Sequence, residues 1–167
     1  MRGPWCNRVQ AAEGQAHHVR RAGPADVSAV GRLLHDFNVE FGDPAPDPAW
    51  LAQRLRQLMA AGDTSVLIGG DGPDAVAVMR FRPSIWADAL ECYLAELYVV
   101  PAHRGKGLGR ALLDGVLDHA RRRGAGYIDL NADEPDTAAR ALYESTGFSR
   151  TCGRPDGPVA YYYELEL

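Results

Sequence analysis

The chain has 167 residues and a mass of 18.1 kDa, with 46% hydrophobic and 24% charged residues, which suits one domain rather than two separate cores. Its 18 basic and 22 acidic residues leave a net charge of −4, which argues against a nucleic-acid partner held by clustered positive charge. Cys6, Cys92 and Cys152 are too few and too far apart for a disulfide framework or a zinc spacing.

His17, His18, His35, His103 and His119 have no ligand spacing either, so no metal is expected. No apolar run approaches the ~20 residues that span a bilayer. The basic start (Arg2, Arg8) lacks the apolar stretch of a secretory signal, and a cytoplasmic protein without membrane contact is expected.

Residues 1–16 follow neither a helical nor a strand period and read as a flexible tail, with the domain occupying 17–167. A short strand over His17–Ala22 leads to Asp26, a candidate N-cap. Val27, Val30, Leu33, Leu34, Phe37 and Phe41 then recur at helical spacing. Three prolines between Gly42 and Pro48 break that helix, because each removes a donor and fixes φ. A second amphipathic helix carries Trp50, Leu51, Leu55, Leu58 and Met59 and ends near Gly62. Strands are expected at Thr64–Ile68, Ala75–Pro83 and Leu90–Val100.

A glycine-punctuated turn follows and opens a helix through Leu112, Leu113, Val116, Leu117 and Ala120. That helix closes on Arg121, Arg122, Arg123 and Gly124, with cations at its negative end. A strand at Tyr127–Asn131, a helix from Asp136 to about Gly147, and two closing strands at Phe148–Cys152 and Val159–Leu167 complete the reading. The order implies an α/β (α+β) domain with a mixed sheet.

The chemistry concentrates where the third long strand runs into the turn Arg104-Gly105-Lys106-Gly107-Leu108-Gly109. A helix start has unpaired amides and a positive macrodipole, and glycines let a large anion approach the backbone. Arg104, Lys106 and Arg110 add side-chain charge. A plain strand-to-helix connector is the alternative. A nucleotide P-loop is excluded, since Lys106 is followed by Gly107 and Val100 stands where the first glycine belongs. The dinucleotide pattern fails because Arg110 replaces its last glycine.

The stretch Glu96–Gly109 resembles the signature of the GNAT superfamily of N-acetyltransferases, Q/R-x-x-G-x-G/A, with Arg104, Gly107 and Gly109 in its fixed positions. Asp136–Phe148 is similar to the family's second motif, N-x-x-A-x-x-x-Y-x-x-x-G-F. The resemblance implies a mostly antiparallel sheet of six to seven strands flanked by about four helices. It also implies acetyl-CoA as co-substrate and direct acetyl transfer to a primary amine of a small molecule or peptide. A homodimer is among the assemblies the family uses. A different class, an idle acetyl-CoA-binding module acting by interaction, keeps the turn without needing the catalytic groups.

On this resemblance the backbone of Leu97, Tyr98 and Val99 would hold the pantetheine arm, and Arg104, Gly105, Lys106, Gly107, Leu108, Gly109 and Arg110 the pyrophosphate. Tyr143 would protonate the departing thiolate; its plain alternative is a core aromatic. Asp136 stands where the family has asparagine. An ionised aspartate only accepts, so its preferred reading is an N-cap, and Asn131 could supply the missing amide. Glu96 or Glu91 would be the base, with Glu96 preferred. Five residues apart, they face opposite sides of an unbroken strand unless a bulge intervenes. Glu40, Asp43 and Asp47 would form an acidic acceptor wall, bordered by Arg80, Phe81, Arg82 and Trp86; the plainer alternative is that the Asp-Pro pairs make turns and the aromatics pack.

Overall fold

The computed structural model describes residues 17–151 and 156–167. The tail over 1–16, Cys6, Cys152 and most of the turn before Pro158 lie outside the described residues. In chain order come β1 (Val19–Arg21), α1 (Val27–Phe41), α2 (Pro48–Ala61), β2 (Thr64–Gly69), β3 (Ala75–Pro83) and β4 (Leu90–Val99). A short 3-10 turn (Pro101–His103), α3 (Leu108–Arg122), β5 (Ala125–Leu130) and α4 (Thr137–Ser145) follow.

The five strands form one sheet in chain order: β1 to β4 pair antiparallel, and β5 returns parallel to β4 after the α3 crossover. This is a mixed α/β fold with a mostly antiparallel sheet and four helices, with fewer strands than the six to seven expected. The missing ones are the closing pair. A backbone bond from Ala160 N to Arg150 O (2.8 Å) links the two stretches, but 156–167 enters no strand. Tyr161 and Tyr163 stand 77% and 87% exposed. Three consecutive tyrosines favour an extended chain but make a strand only where a neighbour pairs with it, and among the described residues no strand pairs with this segment.

Each sheet face carries its own core. On one side α3 and α4 pack Leu108, Leu112, Val116 and Tyr143 against Leu67, Met79, Cys92 and Leu94. On the other, α1 and α2 pack Val30, Leu33 and Leu55 against Val66, Val76, Val78 and Tyr98. The two helices of this second layer approach closely at Gly31, where an added Cβ would run into the Pro48 carbonyl oxygen. Their break is capped at Asp47, whose carboxylate accepts from the amides of Ala49 and Trp50 (2.8 and 3.2 Å), with Pro48 at the first helical position. Asp26 precedes α1 but does not cap it through its side chain. Its carboxylate accepts instead from Gly23 N (2.8 Å) and both terminal nitrogens of Arg20 (2.8 and 2.7 Å).

Candidate active site

The centre of the site is a fault in β4. Along β3 the partners run Val78↔Glu96 and then Met79↔Leu94, so Ala95 has no partner and makes a bulge. The alternation changes parity there. Before the bulge Cys92 and Leu94 face the α3–α4 core; after it Leu97 and Val99 do, while Tyr98 faces α1 and α2. Glu91 and Glu96 therefore share one face despite their odd separation, the exception the sequence reading allowed.

The two carboxylates have different surroundings. Glu91 accepts from Arg82 Nε (2.8 Å), and that hydrogen bond, with one from Ser84, holds its carboxyl below the ordinary range. Glu96 has no hydrogen-bond or ion-pair partner among the described residues, and burial, then the charge of Asp43, pushes its pKa up. A poorly solvated carboxylate without a cation is the more basic of the two, as general-base work requires.

The same fault marks where the sheet splits. β5 pairs with β4 from Leu90↔Ala125 to Leu94↔Leu130 and then ends, while β4 continues to Val99. The edge of β4 that would face β5 is thus left without a strand partner across Leu97, Tyr98 and Val99. Asn131 lies just past the end of β5 and donates its amide to Tyr93 Oη (3.1 Å). α4 stands near the gap, with Asp136 as its N-cap, accepting from Ala139 N (3.0 Å).

Tyr143 lies on α4, 8% exposed, edge-on to Phe148 with ring centroids 5.9 Å apart. Burial, then the charges of Asp136 and Glu96, pushes its phenol up to about 12, so it stays protonated. Tyr143 belongs to the α3–α4 face and Glu96 to the other, yet the charge of Glu96 reaches the Tyr143 phenol.

Beyond β4 the chain makes the 3-10 turn and then takes left-handed conformations at Gly105 (φ 71°) and Gly107 (φ 88°), which side-chain-bearing residues rarely adopt. Gly107 caps α3 without a side-chain bond, and the first helical backbone bond is Ala111 N to Gly107 O (3.0 Å). The amides of Leu108, Gly109 and Arg110 thus precede the helical ladder and point outward at its positive end. Gly109 packs against Leu142 and Val99, an added Cβ meeting each at 3.6 Å.

The three cations of the turn are already engaged within the chain. Lys106 Nζ donates to Ala102 O (2.8 Å), and Arg110 Nη1 donates to Ser145 Oγ (2.7 Å). Arg104 gives Nη1 and Nη2 to the two oxygens of Glu40 (2.6 and 2.8 Å) and Nε to Val99 O (2.8 Å). This pairing spans 64 residues, and neither the glycine turn nor the helical stripe of α1 carries a signal for it.

The acidic wall separates into three duties. Glu40 holds Arg104, Asp43 acts on Glu96 through its charge, and Asp47 caps α2. Of the expected border, Arg80 pairs with Asp63 (3.7 Å), Phe81 is buried in the core, and Trp86 stands in an exposed loop. Asp129, which no motif marks, pairs with Tyr93 from β5; its buried Oδ1 has no hydrogen-bond partner among the described residues, and burial raises its pKa. Cys92 is buried and its thiol is pushed up to about 11, which makes it inert as a nucleophile. Arg123 is drawn into the body by Gly62 O (2.9 Å), Ser65 Oγ (3.2 Å) and the ring of Phe81 (4.2 Å).

The sequence profile of the acetyltransferase (GNAT) family matches residues 30–148. The uncharacterized N-acetyltransferase YhfO of Bacillus subtilis is 26% identical over 138 residues, covering 81% of this chain and 92% of that protein. A mycothiol acetyltransferase of Thermobispora bispora is 37% identical over 122 residues; the match covers 70% of this chain and 36% of that longer protein. Among solved structures, a protein of Arthrobacter sp. FB24 classed as an acetyltransferase superposes with a TM-score of 0.83 at 42% identity, covering 94% of this chain and all of that one. An aminoglycoside acetyltransferase from a soil metagenome, solved with sisomicin, has a TM-score of 0.71 at 17% identity over 90% of this chain and 97% of its own, a likeness of fold.

Proposed function

Because the chain belongs to the acetyltransferase (GNAT) family, we propose that it moves an acetyl group from acetyl-CoA to a primary amine of a small molecule or peptide, both bound at once. One observation carries this reading. β4 runs five residues past its last pairing with β5, from Ala95 to Val99, and leads into a turn with two left-handed glycines at the start of α3. A strand edge without a partner suits an amide-rich pantetheine arm, and uncapped helix amides suit a pyrophosphate. The residues present fit the group on that ground.

When bound, acetyl-CoA supplies an activated acetyl thioester. The amides of Leu97 and Val99, which turn away from β3, orient the arm, and one of them can stabilise the oxyanion that forms on the acetyl carbonyl. Leu108, Gly109 and Arg110 offer backbone N–H groups to the phosphates. Glu96 takes a proton from the acceptor amine, which is otherwise almost wholly an ammonium at neutral pH. The amine nitrogen would form the N–C bond first; as the C–S bond then breaks, Tyr143 would give its phenolic proton to the sulfur, and the surplus proton on nitrogen would return to the phenolate. Glu96 and Asp43 favour a cationic acceptor over an anionic one.

The test is release of free thiol from acetyl-CoA across a panel of amines, with calorimetry of acetyl-CoA alone. Thiol release driven by at least one amine is expected. Saturating acetyl-CoA that produces no heat would overturn the reading; heat without turnover on any amine would leave a binding module in its place.

A further inference from the structure

The signature arginine faces a helix of the other layer. We propose that Glu40 is a positioning residue, holding the phosphate turn in its binding shape through Arg104. The inference rests on the acetyl-CoA reading and concerns how that site is held. Arg104 has five N–H donors; the carboxylate of Glu40 takes two in a fork (2.6 and 2.8 Å) and Val99 O takes a third (2.8 Å). The fork neutralises the guanidinium, so the charge of Arg104 is used within the protein instead of being left for a phosphate.

The carboxylate is itself fixed. Tyr98 Oη donates to Glu40 Oε2 (3.0 Å), and the Tyr98 ring lies 5.2 Å from Phe37, one turn earlier on α1. The Arg104 guanidinium lies 5.5 Å from the same ring. Arg104's hydrogen bonds hold Glu40 below the usual carboxylate range, which keeps the fork charged at neutral pH.

The turn needs such a hold. Nothing lies within 4 Å of where a Cβ on Gly105 would be, and besides Arg104 the turn is met by the His17 ring, whose Nε2 lies 2.6 Å from Lys106 O. Glycine loses more freedom on ordering than any other residue, and a binding loop ordered in advance saves that cost when its anion arrives. Two residues after Glu40 the chain enters the break that brings Asp43 toward Glu96. One ion pair therefore sets the phosphate turn and the acceptor-side loop relative to each other.

The test compares the 167-residue chain with Glu40→Gln, Arg104→Gln and the double variant, by amide hydrogen exchange and acetyl-CoA calorimetry. In E40Q the amides from Gly105 to Gly109 are expected to exchange about tenfold faster, with those of β3 unchanged. Affinity for acetyl-CoA should fall about tenfold, and adding E40Q to R104Q should change neither readout further. Wild-type exchange at the turn in E40Q would overturn the proposal. So would faster exchange with undiminished affinity, or effects of the two substitutions that simply add. If the wild-type chain binds no acetyl-CoA, the functional reading fails while the exchange data still decide whether Glu40 holds the turn.

Discussion

Tyr143 and Glu96 have moved from their ordinary pKa values in the same direction but to different ends. Burial keeps the phenol protonated, up to about 12, ready to give a proton to a better base. Burial and Asp43 raise the carboxyl of Glu96, bringing it closer to the pH at which it must accept one. Tyr143→Phe is expected to lower kcat by about 100-fold or more while sparing acetyl-CoA affinity by calorimetry, since the hydroxyl acts only on the leaving group. For Glu96 the base form is required, so kcat/KM should climb with pH through a limb above the usual carboxylate range, and Glu96→Gln should remove that limb. His119 is a different case. It is buried, its Nε2 has no hydrogen-bond partner among the described residues, and desolvation, then Arg21, Arg122 and Arg123, depress its pKa below 6.5. Between 6.5 and that lower value the unfolded chain binds more protons than the native one, so stability must fall as pH drops through this window. His119→Leu should flatten this dependence, as read from urea midpoints between about pH 5 and 7.5.

The helices and β1 to β4 form where periodicity and punctuation placed them, because each buries a stripe or face with a local repeat. The bulge at Ala95 has no such signature. It arises where β4 must pair with β3 on one side and lose β5 on the other, and it puts Glu96 on the same face as Glu91. Close packing at Gly31 is also invisible locally, since a helix tolerates the residue at a modest cost and the reason for it is the Pro48 carbonyl of α2. Gly31→Ala should push the two helices apart and cost about 2 kcal/mol, a fall in melting temperature of about 4–8 °C. Gly107→Ala acts by another route, through a left-handed φ, and should cost about 1 kcal/mol in stability.

Taken whole, the molecule is one sheet between two helical layers, with its candidate site at the split that joins them. A ligand that binds only the native form stabilises it by mass action, so acetyl-CoA at about 100 times its dissociation constant should add about 2.7 kcal/mol. For a chain of this size the melting temperature should rise by about 5–10 °C. Two motifs, Arg104 to Gly109 and Asp136 to Phe148, made the family legible from the amino acids alone, because helix starts, glycine turns and N-caps are local chemistry. The closing strands were read wrongly from the same kind of evidence, since a run of tyrosines becomes a strand only when a partner pairs with it. The engagement of Arg104 by Glu40, the common face of Glu91 and Glu96, and the lack of a cation paired with Glu96 among the described residues waited on the assembled fold. Each depends on which distant segments share a face, and a one-dimensional pattern carries no record of distance between residues 64 positions apart.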